Sequence, residues 1–152
     1  MTDDPYAPFV PRRGRRVSVG FGVASVLVFA VLAFVVPTTG LLGWGVADSV
    51  LLFGVGVLIA VAMWRFAALS AVPSPAGLVV RNVLLTRTVS WDDVRRVRFS
   101  GGDPWVVLDL FDGDQLAVMA VQKADGDFAV AQAGRLVALM QAAQRSHPRP
   151  PG

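Results

Sequence analysis

Two long apolar runs dominate the first half of the chain. No residue from 17 to 36 is charged, and a helix of this length rises about 30 Å, the thickness of the hydrocarbon core of a bilayer. The second run, residues 49–64, reaches a spanning length when it is extended back to Trp44, which places Trp44 and Trp64 at the interfacial depths that tryptophan favours. The sequence therefore predicts a transmembrane helical hairpin over residues 17–65, with helices at 17–36 and about 46–65.

The charged residues beside these runs predict the orientation of the hairpin. Basic residues precede the first run and follow the second, whereas residues 37–48 contain no Lys or Arg. Under the positive-inside rule, both ends of the chain are then cytoplasmic. The candidate topology determinants are Arg12, Arg13, Arg15, Arg16 and Arg65.

Two export signals are alternatives for the first run. A cleaved signal peptide requires a cleavage site with small residues, which is missing near residue 36, and a second span follows at once. The paired arginines also suggest a twin-arginine signal, but its other features are missing. Asp48, the one acidic residue near the second run, fits best at the headgroup level, since the runs offer it no titratable partner.

Composition argues against several classes of function. The chain has 14 Lys and Arg against 11 Asp, and its net charge of +3 is largely explained by the arginines before the first span. Nucleic-acid binding is disfavoured because acidic residues interleave with the basic ones and no stacking-aromatic motif accompanies them. With no Cys and a single His, His147, in a Pro-rich tail, we predict no enzyme, no catalytic residue, no metal site and no cofactor.

The remainder of the chain divides by composition. Residues 1–16 are predicted to be a disordered, basic cytoplasmic tail, residues 66–76 a Pro-containing linker, and residues 146–152 a second disordered tail. Residues 77–145 read as about five short antiparallel strands followed by one amphipathic helix that starts at Asp127. The Asp112-Gly113 pair predicts a tight hairpin between two of these strands. A calcium loop is the weaker interpretation of that stretch, since the chain contains no Glu.

The stretches "GLVVRNVLLTRTVSWDDVRRVRF" and "WVVLDLFDGDQLAVMAV" resemble the short membrane proteins of actinobacteria that carry a pleckstrin-homology-like (PH-like) domain, the low molecular weight protein antigen 6 family. This resemblance covers residues 17–145 and includes Trp91 followed three residues later by Val94. It implies an α+β membrane protein of the bacterial plasma (inner) membrane, in which a two-helix hairpin precedes a curved antiparallel sheet closed by a C-terminal helix. Phosphoinositide binding does not transfer, because the basic loop that eukaryotic PH domains use has no counterpart here.

Four arginines in this region are the candidate basic surface: Arg81, Arg87, Arg96 and Arg98. In "RRVRFS", a period of two puts Val97 and Phe99 on one face of a strand and Arg96 and Arg98 on the other. Such a face is either an ordinary solvated surface or a contact with anionic lipid headgroups, at about 1 kcal/mol per residue.

These features predict a membrane-anchored, non-enzymatic binding or scaffolding module. Its predicted partners are the bilayer, a protein or peptide that adds to a sheet edge or lies beside the C-terminal helix, or the anionic membrane surface. The alternative is an accessory subunit that assembles into a larger membrane complex through its hairpin. The spacing of Gly20 with Ala24, and of Gly56 with Ala60, favours close helix packing and motivates this alternative.

Overall fold

A computed structural model describes residues 4–39, 43–100 and 102–146 of the chain. The chain forms two compact units. One is the helical unit, Arg15–Ala67, and the other combines the residues before it with the residues after it. The second unit is called the domain below. The predicted C-terminal tail, with His147, lies outside the described residues apart from Ser146.

Two long helices, α1 (Arg12–Val35) and α2 (Val46–Ala67), account for the predicted hairpin. Both are long and apolar enough to span a membrane. Helix α1 begins earlier than predicted, at Arg12, directly after Pro11, which cannot continue a helix backwards through a backbone N–H. The N–H groups of Arg12 and Arg13, which have no partner within the helix, donate to the Asp125 carboxylate. In the first turn of α2, the Asp48 carboxylate accepts a hydrogen bond from the Gly45 N–H at 2.8 Å, which satisfies a free amide at the helix start.

Small residues set the close approach of the two helices. A side chain added at Gly56 would lie 3.1 Å from the carbonyl oxygen of Ser25, and the Ser25 hydroxyl donates to the Gly56 carbonyl at 3.1 Å. Gly22 occupies the matching position on α1, next to Ala60. The predicted role of Gly56 with Ala60 is therefore confirmed. Gly20 has no other described atom within 4 Å of an added side chain, so Gly22 takes the packing role expected of Gly20.

The domain contains six strands in two antiparallel sheets and one long helix. The strands are β1 (Ser70–Pro73), β2 (Gly77–Arg81), β3 (Thr86–Ser90), β4 (Val94–Arg98), β5 (Trp105–Leu110) and β6 (Gln115–Gln122), and the helix is α3 (Asp127–Ser146). The first sheet has the order β1-β2-β3 and the second β4-β5-β6. Strand β6 also contacts β1 and β2, which brings the two sheets together around one core.

Helix α3 covers this core with the face expected from its sequence. Ala129, Ala133, Leu136 and Met140 are buried against residues of both sheets, and Ala143 packs at the margin. Val130, in contrast, is exposed. The connection between β3 and β4 buries Trp91, whose indole N–H donates to the Ser74 carbonyl at 2.8 Å. The fold is thus the predicted α+β arrangement with a C-terminal helix over the strands, but it has six strands in two sheets where the sequence predicts about five strands in one curved sheet.

The predicted linker, residues 66–76, differs from the structure because it contains strand β1. Ala71 is fully buried, and Leu69 just before the strand is 2% exposed. Strand β1 pairs along its whole length with β2. Pro73 is the last residue of β1 and Pro75 follows it, positions near the sheet edge where a missing N–H is tolerated.

The N-terminal segment, residues 4–11, also differs from the predicted disordered tail. Phe9 is fully buried in the domain core. Its N–H donates to the Ala71 carbonyl at 2.8 Å, and the Ala71 N–H donates to the Phe9 carbonyl at 3.0 Å. One buried aromatic ring with a paired backbone is enough to order this short segment, although its composition resembles that of a disordered chain. The segment therefore extends the first sheet beyond β1.

Candidate functional site

The four arginines proposed as a basic surface lie on both sheets and on different faces. In the first sheet, Arg81 pairs with Thr86 and Arg87 pairs with Val80. Because successive residues of a strand point to opposite faces, Arg81 and Arg87 lie on opposite faces of this sheet. Arg96 and Arg98 belong to β4, in the second sheet.

Strand β4 has the predicted alternation. Val97 and Phe99 pack against the core, and Arg96 and Arg98 lie on the outer face. Both arginines surround one carboxylate, that of Asp109 on β5. Arg96 Nη2 lies 3.0 Å from Asp109 Oδ2, and Arg98 Nη2 lies 3.8 Å from Asp109 Oδ1. The positive charge on this face is therefore partly neutralised within the sheet.

Arg98 and Arg87 have further acidic neighbours. Arg98 Nε lies 3.4 Å from Asp103 Oδ2. Arg87 Nη1 lies 3.2 Å from Asp114 Oδ2 in the turn between β5 and β6, and its other amino group lies 3.8 Å from Asp112. Arg87 therefore links the edge of the first sheet to the turn of the second, which is a structural role for that residue.

The Asp112-Gly113 turn has the predicted hairpin geometry. Gly113 adopts a φ of 91°, a conformation that favours glycine. The Leu110 N–H donates to the Asp114 carbonyl at 2.9 Å, and the Asp112 carboxylate accepts a hydrogen bond from the Asp114 N–H at 2.9 Å. Within the described ranges, no group of three or more His, Cys, Asp or Glu residues could hold a metal ion.

The turn between β2 and β3 presents the least expected surface of the domain. Leu84 is 84% exposed and Leu85 is 75% exposed. These two leucines are called the leucine tip below. The apolar and β-branched residues of "VLLTRTVSW", after Asn82, favour one strand that begins at Val83. In the structure β3 begins only at Thr86, so Leu84 and Leu85 belong to the turn that starts at Asn82.

Asn82 fixes the position of the leucine tip. Its N–H donates to the Leu85 carbonyl at 2.9 Å and closes the turn. Its side-chain amide donates to the Ala117 carbonyl at 2.8 Å, and its side-chain oxygen accepts from the Met119 N–H at 3.3 Å. These bonds attach the turn to β6, so Leu84 and Leu85 are exposed on a turn whose backbone is held in place.

Arg81 stands beside the leucine tip and has no ion pair or side-chain hydrogen bond to any described residue. It is therefore a different kind of cation from Arg87, Arg96 and Arg98, each of which has an acidic neighbour. The leucine tip and Arg81 combine an apolar projection with an unneutralised positive charge.

Two of the five candidate topology determinants, Arg12 and Arg13, belong to the domain. Arg12 lies with its guanidinium 3.8 Å from the centre of the Phe128 ring, and Arg13 donates to the Ala124 carbonyl at 3.2 Å. Arg15 and Arg16 follow in α1 and are exposed. Arg65 lies in the last turn of α2.

Part of the domain matches a known protein family. Residues 72–138 match the family model of the bacterial PH domain, from strand β1 into helix α3. Similar curated proteins come from Mycobacterium bovis and from two strains of Mycobacterium tuberculosis, all described as uncharacterised, and each is 42% identical over 85 residues. The match covers 56% of this chain and 55% of each relative, so the chain spans about half the length of the curated relatives it matches. No solved structure matches it.

Proposed function

Since residues 72–138 match the family model of the bacterial PH domain, we propose that the chain is a membrane-anchored binding module whose leucine tip and Arg81 contact the anionic surface of a bilayer. PH-like domains are generally non-catalytic binding modules, and the proposal assigns no catalytic role to the chain. Helices α1 and α2 act as the membrane anchor. The domain is placed in the cytoplasm of a bacterial cell, as the arginine distribution favours.

The observation that carries this proposal is the exposure of Leu84 and Leu85 on an ordered turn beside Arg81. Removing a leucine side chain from water is worth about 1.5–3 kcal/mol, and a basic residue near an anionic surface adds about 1 kcal/mol. Binding free energies of this size are sufficient for reversible contact with lipid, because helices α1 and α2 already anchor the domain at the membrane in this proposal. A protein partner at the same tip is the competing explanation.

The buried position of Phe9 supports the proposed topology. Residues before α1 and after α2 share one core, so they must lie on the same side of the membrane if both helices span it. An even number of spans meets this requirement. Membrane-impermeant maleimide should label a cysteine at Thr39 in intact cells but spare cysteines at Asp4 and Ser146, and labelling of Asp4 or Ser146 from outside would contradict the cytoplasmic assignment.

Lipid contact can be measured with a single fluorescent label, because the chain contains no cysteine. We would introduce Thr86→Cys beside the leucine tip, label it with an environment-sensitive NBD dye, and reconstitute the full chain in nanodiscs of phosphatidylcholine with or without phosphatidylglycerol. The expected result is a blue shift, with quenching by spin-labelled lipid that increases with phosphatidylglycerol. Replacing both leucines with serine should remove the quenching, and Arg81→Gln should weaken its dependence on anionic lipid.

A label at Val130→Cys is the matched control, since Val130 is exposed on α3 and has no proposed membrane role. Equal quenching at positions 86 and 130 would contradict a specific lipid contact. Tip-dependent spectral changes that require an added protein, but not anionic lipid, would instead assign the leucine tip to a protein partner.

Assembly through the hairpin is the second candidate function. Gly20 on α1 and Gly54 on α2 have no other described atom within 4 Å of an added side chain, whereas Gly22 and Gly56 each pack closely against the opposite helix. Their open positions suit the close approach of another membrane helix. A stable complex in native membranes that Gly20→Leu and Gly54→Leu disrupt, while the leucine tip variants leave it intact, would favour this candidate.

A further inference from the structure

The N-terminal segment occupies a groove whose walls come from a distant part of the sequence. One wall is the outer edge of β1, where Phe9 and Ala71 exchange two backbone hydrogen bonds of 2.8 and 3.0 Å. Strand addition of this kind recognises the main chain of an extended peptide and places alternate side chains in pockets. The side chain that enters the pocket here is Phe9, which is fully buried.

Helix α3 provides the second wall through Arg135. The Arg135 guanidinium carbon lies 3.9 Å from the centre of the Phe9 ring. The same guanidinium donates to the Ala7 carbonyl at 2.6 Å. A single side chain thus contacts both the aromatic ring and the backbone two residues before it, and the ring receives a cation over its face.

Asp125 closes the far end of the groove. Asp125 is only 7% exposed. One carboxylate oxygen accepts from the Arg12 N–H at 2.9 Å, and the other accepts from the Arg13 N–H at 2.8 Å. A carboxylate is favourable at the start of a helix, and here it recognises main-chain amides, so this contact does not depend on which side chains follow.

We propose that this groove is a peptide-binding site, that residues 6–13 are its intramolecular ligand, and that an extended partner peptide with one aromatic residue enters when these residues leave. The segment lies outside residues 72–138, which match the domain family. All the backbone pairs between strands β1 to β6 are formed without it. It can therefore leave without breaking a hydrogen bond between those strands.

The recognised chemistry follows from the contacts. The partner presents an aromatic residue in an extended segment. The backbone carbonyl two residues before it accepts from Arg135, and the backbone N–H groups three and four residues after it donate to Asp125. Pro11, which is also fully buried, marks the position where the chain changes from extended to helical. This site is separate from the leucine tip, so the proposal does not depend on the lipid contact described above.

Tethering determines when a partner can enter. A covalently linked ligand acts at an effective concentration in the millimolar range, so a free peptide should compete poorly with residues 6–13 of the unmodified chain. A substitution that weakens the binding of this segment to the groove should expose the site. Phe9→Ala does this directly, because it removes the side chain that fills the pocket and leaves the groove residues unchanged.

The test uses the full chain in detergent micelles and a fluorescein-labelled, C-terminally amidated peptide of residues 4–13. In fluorescence anisotropy, the Phe9→Ala chain should bind this peptide at least about tenfold more tightly than the unmodified chain does. The same peptide with alanine in place of phenylalanine should bind at least about tenfold more weakly. Arg135→Gln, added to the Phe9→Ala chain, should weaken peptide binding because both of its contacts are lost.

Each result decides the proposal. If Phe9→Ala unfolds the domain, millimolar peptide should restore the folded signal, and failure to restore it overturns the proposal. A folded Phe9→Ala chain that binds the peptide no better than the unmodified chain also overturns it, as does equal binding of the peptide that lacks phenylalanine. A dimer of the unmodified chain that Phe9→Ala dissociates would show exchange of the segment between two copies, and would replace the partner peptide by a second copy.

Discussion

Replacing Phe9 with alanine should destabilise the domain strongly. Phe9 lies before the first long helix, yet its side chain is fully buried among residues of the domain core. A buried aromatic side chain removes about 150–250 Å² from water, which at 25 cal/mol per Å² gives an upper value of about 4–6 kcal/mol. Measured losses for such truncations are about 3–5 kcal/mol. This loss is a large share of the stability of an ordinary domain, about 5–15 kcal/mol.

Urea unfolding of the full chain in detergent micelles measures this loss. Trp91 is 2% exposed in the domain core, so its emission should shift to the red as the domain unfolds. Trp44 and Trp64 lie in the helical unit and should be replaced with phenylalanine in every protein compared. The free energy of unfolding of the Phe9→Ala domain should then fall by about 3–5 kcal/mol.

Tyr6→Ala is the matched control, because it removes an aromatic side chain from the same segment where the residue is 37% exposed. Its cost should stay below about 1 kcal/mol. If Phe9→Ala costs no more than Tyr6→Ala, residues 4–11 contribute nothing to the core. The disordered tail expected from the composition would then be the correct description, and the proposed peptide groove would lose its basis.

Three further substitutions, two of them with a comparison variant, probe the domain by the same unfolding measurement. Gly77→Ala should cost about 1–3 kcal/mol, because the added carbon would collide with the Val89 carbonyl of the paired strand. Gly134→Ala, with open space on α3, should instead stabilise the domain by about 0.5–1 kcal/mol, and equal effects would contradict the close approach of β2 and β3. Trp91→Phe, followed through Trp105 emission, should cost about 0.5–1.5 kcal/mol, because the Ser74 carbonyl loses the indole N–H and keeps only the Gly77 N–H, at 3.3 Å; no change in stability would contradict this contribution. Asp109→Asn should cost more stability than Asp114→Asn, because the Asp109 side chain is only 10% exposed between two arginines and that of Asp114 is 63% exposed. The cost of Asp114→Asn should not exceed about 1 kcal/mol, and a larger cost for Asp114→Asn than for Asp109→Asn would refute this ranking.

Several elements of the fold can be predicted from local patterns. The two apolar runs indicate α1 and α2, because a bilayer requires a helix of a certain length and composition. Alternation in β4 separates Val97 and Phe99 from the arginines, and the spacing on α3 identifies its buried face. Each of these predictions depends only on residues close in sequence, which is why a pattern alone is sufficient.

The candidate site was harder to predict because it depends on pairing between distant residues. The sequence identifies the arginines as a group, but the register of β4 and β5 brings Arg96 and Arg98 to Asp109, and the approach of the two sheets brings Arg87 to Asp114. Arg81 remains beside the leucine tip. No local pattern distinguishes these arginines, since their acidic neighbours lie on other strands.

Strand β1 and the N-terminal segment illustrate the same limit. Residues 66–76 contain prolines typical of a linker, and residues 1–11 are rich in proline and acidic residues, so local composition argues against structure in both. Their order comes from β2, which pairs with β1, and from the core that receives Phe9. A residue's own neighbours cannot indicate a pocket that forms more than sixty residues away.

Hydrophobic length, charge asymmetry and strand periodicity are properties of the chain itself, and they lead to a membrane hairpin followed by a small α+β domain. The position of Phe9, the neutralisation of three arginines and the exposure of the leucine tip arise only when the chain folds. The physical reason is that burial and ion pairing are interactions between surfaces, and these surfaces are assembled from segments distant in sequence. The residues proposed here to bind lipid and peptide belong to this second group.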